Sequence, residues 1–293
     1  MHTLLIDGVP ATELSVLDRG LQFGHGLFET MCLWQAEIPL LARHLKRLGE
    51  GARALGIEYA EDRIRQNLGA ALAHFPSDGM VKLVLTAGVG ERGYRYRRNE
   101  GASGPRCLLY YFERPPQQRT IALQVCRYRL AKNPRLAGIK HLNRLDQVLA
   151  AGELDEGREG LLLDDSDNVI EALSSNIFFR WQGQWLSPEL DNAGVAGVMR
   201  AVLLEQVLPS LGERVQCRDV TVDELLTAEE IFVCNAVRGI VPVASITGEF
   251  SWPRNEAAVS RHLSHALQVE LSHLFPCYPC FSDPCFSDPC FDL

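Results

Sequence analysis

Short runs of apolar, β-favouring residues recur along this whole chain, and stretches of helical period separate them. FETMCLW, MVKLVLTAG, CLLYYFE, TIALQVC, EGLLLDD, VIEALSSNIFFRW and EEIFVCNA read as strands, several of them apolar on both faces. Residues 41–55 read as a helix, because Leu41, Leu45, Leu48, Ala52 and Leu55 fall at spacings of three and four. Residues 61–75 read as a second helix and 141–152 as a third, with Leu142, Leu145, Val148 and Leu149 on one side. The segment from Gly194 to Leu211 begins in glycine and becomes amphipathic. Buried strands and amphipathic helices in both halves imply a mixed α/β (α+β) class.

At 293 residues the chain is long enough for about two domains. The polar, proline-paired stretch ERPPQQR marks a boundary. The expected division is 1–114, a linker at 115–119, a second domain at 120–275, and a tail at 276–293. The tail repeats Pro-Cys-Phe-Ser-Asp and has little to pack, so a disordered tail is expected there. Cys277 and Cys280 have C-x-x-C spacing, but the repeat offers no folded knuckle, and no metal is expected. Cys32, Cys107, Cys126, Cys217 and Cys234 sit among apolar residues and read as small buried hydrophobes.

A net charge of -8 argues against a nucleic-acid partner. The N-terminus has no basic n-region, and no apolar stretch approaches bilayer-spanning length, so no membrane is expected and a cytoplasmic location is. Gly88, Gly90 and Gly93 spell G-x-G-x-x-G after a strand, yet YRYRRNEGASGP shows no helical period. A dinucleotide site needs a helix there. A glycine-rich turn carrying Arg92 towards a site is the better reading.

Only four lysines, Lys46, Lys82, Lys132 and Lys140, stand against 25 arginines. Lys140 follows Gly-Ile at a strand-to-helix junction, where a desolvated amine can act as a nucleophile towards a carbonyl. Position alone favours a surface lysine. If the partner were pyridoxal phosphate, its phosphate would need the N–H groups of a glycine-led helix start, here Gly194 to Arg200, and a cation such as Arg47. Its ring nitrogen would need an acid, and Glu171 lies in an otherwise apolar strand. A capped helix, a surface arginine and an edge-strand glutamate are the plain readings of the same residues, each favoured when taken alone.

Taken together, these segments resemble a known family. Asp18-Arg19-Gly20, Phe23 through Thr30, His44 through Leu48, Gly138 through Arg144, Glu171 through Phe178, and Gly194 through Arg200 occur in the order of the class IV aminotransferase superfamily, the fold-type IV pyridoxal-phosphate enzymes. The resemblance covers about residues 1 to 250. Within it, GIKHLNRLDQVLAAGEL, ERGY and VCNA are most similar to the aminodeoxychorismate lyases. The chain departs from the superfamily pattern at Leu173, where a small residue is usual, and at Ser187, where Thr is usual. Asn235-Ala236 replaces hydroxyl residues near the phosphate.

The resemblance implies two α/β domains with pyridoxal 5'-phosphate in the interdomain cleft, and a homodimer. It implies conversion of a small-molecule substrate, 4-amino-4-deoxychorismate, to 4-aminobenzoate and pyruvate, a step of folate biosynthesis. Lys140 would be the catalytic cofactor-bearing residue, and Thr30 would assist proton transfer. Arg47, Glu171, Gly197, Val198, Met199, Asn235 and Ala236 would bind the cofactor, and Arg92 a substrate carboxylate. A D-amino acid or branched-chain aminotransferase would use the same lysine. A cofactor-free binding protein on the same fold is the reading from another class.

Overall fold

The computed structural model describes residues 4–90, 92–96, 104–116, 118, 120–248 and 269–278. The chain groups into two units. One comprises Met1–Pro116, Lys132–Leu149 and Leu190–Val198; the other comprises Gln117–Ala131, Ala150–Glu189 and Met199–Leu293. Each unit is therefore discontinuous, unlike the two contiguous halves that the composition suggested. Two excursions after residue 130 return to the first unit, and local polarity around residue 115 carries no sign of them.

The first unit is built on a five-stranded sheet of order β2-β1-β5-β4-β3, among the described residues. Its strands are β1 (Leu4–Ile6), β2 (Val9–Pro10), β3 (Gly26–Leu33), β4 (Gly79–Thr86) and β5 (Arg106–Phe112). All neighbours are antiparallel. A short helix α1 (Arg19–Phe23) precedes β3. Two longer helices, α2 (Leu41–Ala54) and α3 (Glu61–Leu72), bury Leu45, Leu48 and Ala52, and Ile64 and Leu68, in a core shared with Leu27, Met31, Val81 and Leu83. The period-2 alternation of β3 explains the choice of face. Leu27, Glu29 and Met31 are turned into that core at 2%, 1% and 0% exposure, whereas Phe28 and Thr30 lie on the other face.

The second unit carries, among the described residues, an eight-stranded sheet of order β11-β10-β9-β12-β13-β6-β7-β8. Its strands are β6 (Ile121–Leu130), β7 (Arg158–Asp164), β8 (Val169–Ala172), β9 (Asn176–Trp181), β10 (Gln184–Pro188), β11 (Val215–Arg218), β12 (Glu230–Asn235) and β13 (Gly239–Thr247). β6 runs parallel to β7 and β13, and β10 parallel to β11, so the sheet is mixed. Phe178, Phe179, Trp185 and Phe232 are fully buried in it.

Several expectations change. VIEALSSNIFFRW is two strands, because a turn bonded from Ala172 N–H to the Ser175 carbonyl (2.8 Å) separates β8 from β9. Leu173 is accommodated there because Gly160 has no side chain; a Cβ at Gly160 would lie 3.0 Å from Leu173 Cγ. The helix expected at 141–152 is α4 (Leu145–Ala151), since the preceding residues hydrogen-bond to β3. Its apolar side is not core: Leu145, Val148 and Leu149 are 73%, 62% and 56% exposed. Apolar spacing reports an amphipathic helix but not what covers it.

The segment beginning at Gly194 becomes helical at α5 (Val198–Val202), runs through a π-helical turn at Leu203–Val207, and ends in α6 (Leu208–Ser210). A further short helix, α7 (Val222–Leu226), is closed by a Thr221–Glu224 capping box.

The tail boundary at 276 also moves. Cys277 and Tyr278 are 1% and 5% exposed, and the Tyr278 hydroxyl donates to the Ala236 carbonyl (2.5 Å). The remainder of the Pro-Cys repeat, with Cys280, Cys285 and Cys290, lies outside the described residues. Of the five scattered cysteines, Cys32, Cys107, Cys126 and Cys234 are buried and Cys217 is half-buried. Burial pushes the Cys107 and Cys126 thiols up, to about 12 and about 11. After β4, Gly88 and Gly93 take positive φ, and no helix follows among the described residues 87–90 and 92–96. No described helix is long and apolar enough to cross a membrane. No cluster of three or more His, Cys, Asp or Glu suited to a metal occurs among the described residues.

Candidate active site

Lys140 is held by its backbone. Phe28 N–H donates to the Lys140 carbonyl (3.0 Å) and Leu142 N–H to the Gly26 carbonyl (3.0 Å), so the segment adds to the free edge of β3. On its other side, Gly138 N–H donates to Gly194 O (2.9 Å) and Ala196 N–H to Gly138 O (3.1 Å). Gly138 sits at φ +75°, a conformation that favours glycine. Gly26 is needed as well: a Cβ there would lie 2.6 Å from both Leu142 Cδ1 and the Leu85 carbonyl. Arg144 locks the segment further, donating from Nε to His141 O (2.8 Å) and from Nη2 to Ile139 O (3.2 Å).

The half-buried Lys140 amine lies 4.3 Å from the centroid of the Phe28 ring. A cation over a ring face is favoured by ~0.5–2 kcal/mol. Lys82 Nζ is 5.2 Å from the same centroid. Thr30 is two residues along β3 and shares the Phe28 face, half-buried. His141, next to the lysine, is pushed down to about 4 by burial and by the Arg144 charge, against a smaller pull from Asp146. Its imidazole is therefore neutral at neutral pH.

Arg47 of α2 is tied to the same region. Its Nη1 donates to the Ala196 carbonyl (2.9 Å), in the segment that pairs with Gly138. Its Nε donates to Glu29 Oε1 (2.8 Å) and its Nη2 to Glu29 Oε2. His44 Nδ1 meets the same Oε2 at 2.6 Å. Burial works against the Glu29 charge, but Arg47 and His44 outweigh it and hold the carboxyl down at about 2. With Glu29 ionised, His44 carries its proton on Nδ1. Gly197 and Val198 follow Ala196 into the first turn of α5, where backbone N–H groups lack intrahelical acceptors.

The second unit holds the other expected residues. Glu171 is 4% exposed in β8, opposite Leu162 of β7. Met199 is fully buried. Asn235 ends β12 and shapes a turn: its Oδ1 accepts from the N–H groups of Val237 (3.0 Å) and Arg238 (2.8 Å). Its Nδ2 donates to Ser174 O (3.2 Å) and Ser175 Oγ (3.1 Å). Ala236 lies in that turn, under the Tyr278 hydroxyl. Ser187 has 0% exposure; it donates to Ile177 O (3.0 Å) and accepts from Arg200 Nε (3.2 Å). Arg200 thereby serves packing.

Arg92 is exposed on a turn fixed by the buried Arg19, which donates to the carbonyls of Gly93 (3.0 Å) and Tyr94 (2.9 Å). The first unit therefore brings Lys140, Phe28, Arg47 and residues 194–198 together. The turn that carries Arg92 is anchored separately, through the Gly93 and Tyr94 carbonyls on Arg19.

Residue-level reading missed two sets. Glu29 and His44 were seen only as parts of a motif. Arg238 was not seen: its Nη2 donates to Glu159 Oε2 (2.6 Å), Ser174 Oγ (2.9 Å) and Ser175 Oγ (3.0 Å). The one available signal was Glu29, a lone carboxylate at a core-facing position of a strand.

Residues 26–246 match the amino-transferase class IV family. The chain belongs to that family. As a class IV aminotransferase relative it takes pyridoxal 5'-phosphate, and residues of the first unit fit that group: an amine on a fixed backbone and an arginine with N–H groups beyond those given to Glu29 and Ala196. It is 33% identical to aminodeoxychorismate lyase of Vibrio harveyi over 249 residues, 83% of this chain and 90% of the relative. It is 27% identical to D-alanine aminotransferase of Bacillus licheniformis over 87% of this chain and 90% of that one. Among solved structures, 4-amino-4-deoxychorismate lyase of Pseudomonas aeruginosa has a TM-score of 0.82 and 44% identity, covering 92% of this chain and 98% of that one. The class IV fold is thus shared along nearly the whole length of these relatives.

Proposed function

We propose that this class IV aminotransferase relative is an aminodeoxychorismate lyase, converting 4-amino-4-deoxychorismate to 4-aminobenzoate and pyruvate in folate biosynthesis. The observation that carries the reading is the 44% identity to the Pseudomonas aeruginosa lyase across 98% of that chain. When bound, pyridoxal phosphate supplies an electron sink conjugated to the substrate nitrogen.

The chain's own groups do the rest. Lys140 would hold the cofactor through its amine, and the same amine would remove the ring proton beside the substrate nitrogen. Glu171, buried in β8, would keep a proton on the pyridine nitrogen. Thr30, on the Phe28 face of β3, donates a proton as the enolpyruvyl C–O bond breaks. The ring becomes aromatic, and the departing enolate ends as pyruvate. Arg47 and the N–H groups of Gly197, Val198 and Met199 would hold the phosphate, and Asn235 and Ala236 are assigned to it as well. Arg92 is assigned to a substrate carboxylate.

The deciding experiment is a coupled assay of both products without added keto acid. Release of 4-aminobenzoate and pyruvate in equal amounts is expected. Absence of pyruvate, with pyridoxamine phosphate accumulating from D-alanine or leucine, would move the chain to the aminotransferases. We further propose a cytoplasmic homodimer, supported by the exposed apolar groups Val16, Leu17 and Leu21 and Leu145, Val148 and Leu149. A monomeric mass in sedimentation would refute the dimer.

A further inference from the structure

Glu29 is an ionised carboxylate buried in an apolar core, at 1% exposure, with both oxygens occupied. Burying a charge is costly unless it is paired and fully hydrogen-bonded. A residue needed only for packing at this position of β3 would be apolar, as Leu27 and Met31 on either side are. What the carboxylate accomplishes is seen at Arg47. A guanidinium has five N–H donors in one plane. Glu29 takes one from Nε and one from Nη2, and Ala196 O takes one from Nη1. One N–H on each terminal nitrogen is left, and Nη1 is held beside residue 196. Two donors on one planar group can meet two oxygens of a phosphate. His44 secures the arrangement, since its Nδ1 holds Glu29 Oε2 from the α2 side.

We propose that Glu29 is a positioning residue, which holds Arg47 in place before the cofactor arrives and aims its two remaining N–H groups at the phosphate. The inference rests on the assignment of Arg47 to the phosphate. Its content is geometric and runs against simple charge. A nearby carboxylate weakens the attraction of Arg47 for an anion, so a role through net charge predicts tighter phosphate binding once Glu29 is neutralised. A positioning role predicts the reverse: Gln in place of Glu29 puts an amide N–H against either His44 or Arg47, both donors, and the guanidinium loses its fixed plane.

The test uses the full-length chain freed of cofactor. Equilibrium affinities are measured for pyridoxal phosphate and for pyridoxal, which lacks the phosphate. In Glu29→Gln, binding of pyridoxal phosphate should weaken at least about tenfold, while pyridoxal should change by less than about twofold. Glu29→Asp keeps the charge and draws it back by one methylene; it should show the same phosphate-selective loss, smaller in size, and it carries the comparison if the glutamine variant does not fold. Equal losses for both ligands would mean that Glu29 only supports the fold, and would overturn the proposal. Unchanged or tighter binding of pyridoxal phosphate would overturn it in favour of net charge. If the wild-type chain bound pyridoxal as tightly as pyridoxal phosphate, the Arg47 assignment itself would fall, and the proposal with it.

Discussion

Tyr278 offers a measurable test of what one buried aromatic contributes at the end of the described residues. Its ring packs on the turn at Gly239, where an added Cβ would lie 3.3 Å from Tyr278 Cδ1, and its hydroxyl donates to Ala236 O at 2.5 Å. It is 5% exposed. Deleting a buried aromatic side chain costs ~3–5 kcal/mol, and one neutral hydrogen bond contributes ~1 kcal/mol net. Three full-length or truncated chains separate these terms. Ending the chain after Tyr278 should leave stability within ~0.5 kcal/mol of the intact protein. Tyr278→Phe should cost ~1 kcal/mol, and ending the chain after Pro276 should cost ~3–5 kcal/mol. Urea unfolding of the cofactor-loaded protein, monitored by tryptophan fluorescence, reads all three. If the chain ending at Pro276 matched the intact protein, the contact with Ala236 would contribute nothing and the argument from burial would be wrong.

Three other outcomes are expected. Borohydride reduction should fix the cofactor to Lys140, and peptide mapping that found the adduct on Lys46, Lys82 or Lys132 would refute the assignment. Thr30→Val should lower turnover by about 100-fold or more, the range of a lost proton donor, while cofactor affinity stays within about threefold; parallel losses in both would refute the proton role. Glu29 gives a pH dependence. Its folded-state pKa is depressed from 4.5 to about 2, so its stabilisation is present above pH 4.5 and lost as pH falls towards 2. That contribution is on the order of 3 kcal/mol, and acid unfolding of Glu29→Gln should show a correspondingly shallower slope over this window; identical slopes would refute the assignment.

Much of the frame is legible in residue order, because it depends on local periodicity. The spacing from Leu41 to Leu55 marks α2 to within a residue, and the β-favouring run FETMCLW marks β3. What periodicity cannot convey is partnership. Glu29 meets residues 15 and 18 positions away on a different element, and Arg238 meets Glu159 across 79 positions. Those pairings depend on register and on the approach of a helix to a sheet, neither of which leaves a local trace. The exposed side of α4 shows the same limit from the other direction: its apolar residues announce a covered face but not the surface that covers it. Tyr278 was hidden for another reason, since a proline- and cysteine-rich composition masks a single aromatic anchor.

The attachment of residues 140–142 to β3 turns the placement of the reactive amine into a discrete choice. Residues that follow one another along an extended, ladder-bonded segment project to opposite sides. Moving the lysine one position, to 139 or 141, would therefore carry the amine to the far side of the segment instead of displacing it slightly. Shifting the hydrogen-bond pattern by one residue would do the same. Such a site cannot be adjusted by small drifts of the backbone, and all fine motion is left to the four rotatable bonds of one side chain. A chain built this way should lose activity abruptly, with no intermediate grades, when one residue is inserted between Gly138 and Lys140.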